Sequence, residues 1–178
     1  MMLRHEPTVL DSEDQELLAT WAVKTVYFLE LAFRQRYPRA RPVEGYVASE
    51  PELAWLRARR QPPPRSRVWL GCFDAMGSTA IMYEPSGAPV PVPHGEPIRG
   101  HLTSFTMGYV AFQVFSIDFV HADSVGAVQF QPPAPRREVQ EALLLIWPSR
   151  LRPIHWPPPA FAHDDWNKFV TWDGSLRQ

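Results

Sequence analysis

Asp118, His121 and Asp123 fall within six residues. If a loop folds them together, two carboxylates and an imidazole can move a proton or hold a divalent cation. Their spacing matches no established motif, and polar residues so grouped also serve as turn hydrogen-bonders. His155, His163, Asp164 and Asp165 form a second, looser metal-capable set, in which Asp164 is equally suited to cap a closing helix. Lys24 and Glu30 interrupt a long apolar run. A buried lysine can lose its proton and act chemically, but it can also snorkel to water or pair with a carboxylate from a sheet, and the pairing is the expectation for Lys24. Helical geometry sets Lys24 and Glu30 about 120° apart, so neither is the other's main partner. Cys72 sits in an apolar strand-like segment, where a packed thiol is far commoner than a nucleophile. The chain has no phosphate-binding glycine loop, nucleophile elbow or zincin helix. No cofactor is therefore expected.

The strongest functional signal is charge. Residues 34–67 hold nine arginines against Glu44, Glu50 and Glu52, a local net charge of +6, whereas residues 68–135 carry a net charge of −4. Within the basic segment Arg57, Arg59, Arg60, Arg65 and Arg67 are the densest group. Guanidinium groups pair well with phosphate oxygens, and Tyr37, Tyr46 and Trp55 can stack on bases where exposed. The segment thus suits nucleic acid or an acidic protein as partner. The plainer alternative is a solvated basic surface balanced by the acidic remainder. Arginine supplies 16 of the 18 basic residues, a bias that GC-rich coding produces without selection, so the count alone assigns nothing.

Several elements must position these groups. Ser12-Glu13-Asp14-Gln15 has the serine and glutamine spacing of a capping box, and the acidic residues suit the positive end of a helix dipole. The pattern predicts a helix from Ser12 to Arg36, stopped by Pro38 and apolar on nearly every side, hence central and buried. Ser49-Glu50-Pro51-Glu52 opens a second helix to about Arg60, ended by Pro62, Pro63 and Pro64. Val68–Phe73 and Thr79–Tyr83 read as an antiparallel hairpin, and the proline- and glycine-rich residues 85–100 as an extended connection. Leu102–Ile117 reads as one long interior strand with a bend at Gly108. Val125–Phe130 can pair beside it. Leu143–Trp147 reads as a last short strand or, within 136–146, as helix; the reading between the two is a helical turn from Arg137 entering an extended Ile146-Trp147-Pro148, and a short helix is expected around Asp164–Trp172. The predicted fold class is α+β, with the long N-terminal helix packed on an antiparallel sheet of about four or five strands and proline-rich loops outside. Residues 1–11 are expected to be a flexible tail and 12–178 a single domain.

The run Leu18-Ala19-Thr20-Trp21-Ala22-Val23-Lys24-Thr25, continuing to Leu29-Glu30, resembles the segment that follows the zinc-binding head in a family of uncharacterised actinobacterial proteins with HNH-endonuclease-like N-termini. Arg67-Val68-Trp69-Leu70-Gly71 and Ile146-Trp147-Pro148 are similar to the same family. The resemblance covers most of this chain, in the family's C-terminal half. The cysteine pairs and the histidine and asparagine residues that would carry nuclease chemistry have no counterpart here, and a metal-dependent nuclease needs them to hold its ion and activate water. The resemblance implies a nucleic-acid context and transfers no active site.

At 178 residues and a formal net charge of −1, the chain is long enough to bury a core and is not a globally basic nucleic-acid binder. A single cysteine allows no intrachain disulfide, and the polar start lacks the apolar stretch of a signal peptide. A reducing, cytoplasmic location is expected. The longest uncharged stretch, 102–117, is shorter than a membrane span. The reading that follows is a non-catalytic binding or accessory module that contacts nucleic acid or a nucleic-acid-processing protein through the arginine-rich surface of 34–67. Its rivals are a small enzyme with a pocket around Asp118, His121 and Asp123 to which Lys24 contributes, and a homodimer formed through an apolar sheet edge.

Overall fold

The computed structural model describes residues 6–36, 50–74, 83–90, 98–117, 137–149, 151–162 and 165. Strand β1, Thr8–Leu10, leads into helix α1, Ser12–Arg36. The cap of α1 is Asp11, one residue before the predicted serine: its Oδ1 accepts from the backbone N–H groups of Glu13 and Asp14, each at 2.9 Å. A carboxylate there both satisfies orphan donors and meets the positive end of the dipole. The Gln15 side chain is buried, with Nε2 donating to the carbonyls of Leu10 at 3.0 Å and Arg152 at 3.3 Å. The predicted tail is therefore strand from Thr8: β1 pairs antiparallel with β7, Ile154–Trp156, and Leu10 is fully buried.

Helix α2, Glu50–Arg59, lies beside α1. Gln61 Nε2 donates to Glu16 Oε1 at 2.9 Å, and Thr20 Oγ1 donates to the carbonyl of Arg60 at 3.1 Å, so polar bonds from α1 hold the chain where α2 ends.

Strands β2 (Arg67–Asp74), β3 (Tyr83–Val90), β4 (Ile98–Met107), β5 (Val110–Ile117) and β6 (Leu143–Trp147) form a sheet in the order β3-β4-β5-β2-β6. Its pairs are antiparallel except that β8, Ala160–Ala162, runs parallel to the end of β2. The expected α+β, antiparallel-dominated architecture is what the chain adopts. A single turn of helix, α3 at Arg137–Gln140, enters β6 as predicted.

Three local expectations give way. The long strand over 102–117 is a hairpin, β4 and β5, turned at Gly108 and Tyr109. Gly108 has φ of +61°, a conformation that glycine adopts freely and that a tight two-residue turn requires at its first position. The turn puts Phe105 opposite Phe112, rings stacked at 5.2 Å, although an unbroken strand would send them to opposite faces. Among the described strands, β2 does not pair with β3, the next in sequence; β5 takes one edge and β6 with β8 the other. Residues 83–90 are strand despite Pro85 and Pro89, because β3 lies at the sheet edge, where a missing N–H can face outward. The segments predicted at Thr79–Met82, at Val125–Phe130 and, apart from Asp165, at Asp164–Trp172 lie outside the described residues.

Both faces of the sheet are covered. On one, Val68, Leu70, Val110, Phe112, Val114 and Ile146 meet Ala19, Ala22, Val23 and Val26 of α1 and Leu56 of α2. On the other, Trp69, Phe73, Leu102, Phe115 and Ile117 pack with Val139, Leu143 and Phe161. Full burial of each large apolar side chain contributes about 1.5–3 kcal/mol, so β2 and β5, buried along nearly their whole length, anchor the fold. Packing is tight at Gly71: a Cβ there would stand 3.0 Å from both Leu143 Cδ2 and Phe161 Cε1 and 3.1 Å from the Ala142 carbonyl oxygen, so its neighbours would have to shift. Helix α1 is not buried all round, and its outer side shows Leu17, Trp21, Phe28 and Leu31.

Candidate nucleic-acid interface

The basic residues of α2 are placed by its ends. Glu50 and Glu52 occupy the first turn and Arg57 and Arg59 the last, the arrangement that the helix dipole favours. Pro51 is tolerated because no intrahelical N–H bond is needed there. The helix closes on Arg60, whose φ of 56° is left-handed and whose N–H bonds the Leu56 carbonyl at 3.0 Å. This is the αL helix stop that usually employs glycine. Leu56 is buried in the core under α1, and with that anchor inside, Arg57, Arg59 and Arg60 stand exposed. The Arg59 guanidinium lies 5.6 Å from the centre of the Trp55 ring, a cation–π contact that stiffens it.

Lys24 of α1 joins them. It is exposed, not paired into the sheet as expected; Glu30 is the residue that reaches the sheet, accepting from Thr103 Oγ1 at 3.0 Å. Lys24, Tyr27, Leu53, Leu56, Arg57 and Arg60 line an open groove of about 420 Å³ between the two helices. Three cations thus stand over an apolar floor.

Beside the groove, Glu30 and Glu52 are buried close to the Tyr27 hydroxyl. Burial first, then the charges of Glu52 and Glu30, pushes the Tyr27 hydroxyl well above its usual value of 10.0. A phenol shifted in that direction stays neutral at physiological pH and is a poor base or nucleophile. The groove thus presents three cations to an anion, and its tyrosine supplies no base.

The other basic residues divide. Arg65 and Arg67 are half-buried at the start of β2; Arg67 donates from Nη1 to the Ser66 carbonyl at 2.8 Å, and burial lowers its pKa. The exposed group is Lys24, Arg57, Arg59 and Arg60. Tyr37, Tyr46, Arg39, Arg41 and Glu44 lie outside the described residues, as do Asp118, His121, Asp123, His163 and Asp164. His155 is exposed on β7, across from Val9. Among the described residues no three histidine, cysteine, aspartate or glutamate side chains converge as metal ligands, and no helix is long and apolar enough to cross a membrane. Cys72 is buried under α1, its thiol pushed up by burial and by Asp74, which makes it a packing residue. Compared with protein-family profiles, curated proteins and solved structures, the chain matches none.

Sequence reading found the arginines of this groove but missed the company they keep. Tyr27 gave no signal, and Glu52 read only as part of the pattern that opens α2. A glutamate in the first turn of a short helix reads as a dipole partner, and only the packing of α2 on α1 buries it.

Proposed function

We propose that the chain is a non-catalytic nucleic-acid-binding module that holds a phosphate backbone along the groove between α1 and α2. The observation that carries this reading is the convergence of Lys24, Arg57 and Arg60 on one groove, with Arg59 beside them. Cations supplied by two packed helices are held at fixed spacing, which suits successive phosphates better than a flexible basic tail does. The half-buried Trp55 under Arg59 adds a flat surface next to the charges. The resemblance of 18–30 to the segment behind an HNH-type head supports the same context.

The test is fluorescence anisotropy of the full chain with random-sequence single-stranded DNA and RNA at low and moderate salt. Affinity is expected to fall steeply with salt. The Arg57→Ala, Arg59→Ala, Arg60→Ala triple variant should bind weakly and lose roughly 2 units of the log–log salt slope, about 0.7 per phosphate contact removed. Salt-insensitive binding, no binding at low salt, or an unaltered triple variant would each reject the proposal.

A further inference from the structure

Helix α1 carries a second apolar stripe on the side away from the sheet. Leu17 is 54% exposed, Trp21 38%, Phe28 71% and Leu31 56%. Exposed apolar residues scattered singly need no explanation, but these are in register. With the exposed Lys24, the positions run 17, 21, 24, 28 and 31, in alternating steps of four and three. That is the 3.5-residue repeat of a helix seam built to pack on another helix. The core occupies the opposite side of α1; Trp21 also leans inward, its ring 5.4 Å from that of Phe112 and 6.1 Å from that of Phe105, and leaves its outer edge to water.

Charge and symmetry name the occupant. The first turn of α1 is acidic, with Glu13 and Asp14, and its last turn contains Arg34 and Arg36. Laid antiparallel, two such helices bring the acidic start of each against the basic end of the other. The stripe is also symmetric about its middle, with Leu17 and Leu31 each seven residues from Lys24 and Trp21 and Phe28 inside them. Sheet-edge pairing is less suited to the task, since the edge strand β3 carries Pro85 and Pro89.

We propose that this outer stripe of α1 binds a second copy of the chain, the two helices packing antiparallel about a two-fold axis near Lys24. Leu17 of each copy then meets Leu31 of the other, and Trp21 meets Phe28. The lysine pair at the axis sets the register and weakens the association, as a single charged residue in an apolar seam does. Each lysine escapes part of that cost by turning its ammonium toward the groove it lines. The dimer shares Lys24 with the nucleic-acid groove, and the triple arginine change tells the two readings apart because it removes the groove's other cations and leaves the apolar stripe intact.

Sedimentation of the full chain over a wide range of concentration tests this. The mass is expected to rise from the 20.4 kDa monomer toward twice that value. Leu17→Glu with Phe28→Glu should remain monomeric throughout, with unchanged circular dichroism. Lys24→Leu should move the association midpoint to a concentration lower by about tenfold or more, since even 1.4 kcal/mol relieved at the axis gives that factor. Lys24→Cys should form a covalent dimer under mild oxidation, because a residue at a two-fold axis meets its own copy and the native Cys72 is buried. The oxidation readout still decides if the double glutamate variant fails to fold. A monomer at every concentration, a dimer indifferent to the glutamate changes, loosening by Lys24→Leu, or attachment to vesicles or an unrelated protein in place of self-association would overturn the proposal.

Discussion

Two helices lie on the same face of the sheet and present opposite chemistry to water. The outer side of α1 carries Leu17, Trp21, Phe28 and Leu31 along its middle, with Lys24 among them, while that of α2 is cationic, with Arg57, Arg59 and Arg60. Both bury apolar residues in one core: Ala19, Ala22, Val23 and Val26 from α1, Leu56 from α2. Their inner surfaces therefore answer to the same rule, and it is the outer surfaces that distinguish them. An apolar outer stripe gains free energy by leaving water, whereas guanidinium groups keep their hydration until an anion replaces it. The lesson is that a helix rich in apolar residues need not be buried on every side. The surplus can belong to a surface.

The sharpest way to break this comparison is to put the same kind of charge on each side of α1. Ala22→Asp, in the core, should cost about 3–5 kcal/mol and in practice unfold the chain, since it buries a carboxylate. Phe28→Glu, on the outer side, should stay within about 0.5 kcal/mol of the parent when chemical denaturation is followed at a concentration where the chain is monomeric. Equal losses would mean that α1 is enclosed on both sides.

A smaller effect separates charge from fold at the end of α2. Arg60 holds a left-handed conformation that costs a side-chain-bearing residue about 1–2 kcal/mol, part of which glycine returns as greater freedom in the unfolded chain. Arg60→Gly should thus gain up to about 1 kcal/mol in urea denaturation while nucleic-acid affinity falls. Destabilisation would show that the Arg60 side chain supports the fold.

The smallest effect is alkaline. Tyr27 titrates higher folded than unfolded, so its contribution is fully present below pH 10.0 and declines as pH rises through the folded value. The parent should lose stability above that pH, and Tyr27→Phe should lose less of it, as read from denaturation midpoints on either side of pH 10.0.

The sequence made the helices legible because their signals are local. Acidic residues at the start of α1, Pro51 and the proline run after Gln61 mark ends, and apolar content marks burial in bulk. It was less informative where two local signals compete. The Ser12 to Gln15 spacing predicts a serine cap, whereas the structure caps α1 with Asp11 and buries Gln15 against Leu10 and Arg152, a partner remote in sequence. Likewise, Gly108 reads as a bulge or bend in one long strand, and only the pairing of Phe105 with Phe112 shows it to be a turn. Pro85 and Pro89 speak against a strand unless the strand lies at an edge, and sheet order is a non-local property.

By itself, then, the amino-acid order determined that a long helix and a short basic one precede a mostly antiparallel sheet, and that arginines gather on the second helix. Those properties follow from backbone preference, proline and charge counted over a few neighbours. Only the tertiary structure decided which side of α1 meets the sheet, that Lys24 stands with Arg57 and Arg60 over one groove, and that Glu30 and Glu52 lie buried beside Tyr27. Those outcomes depend on contacts between residues tens of positions apart, and their energies exist only once the elements have packed.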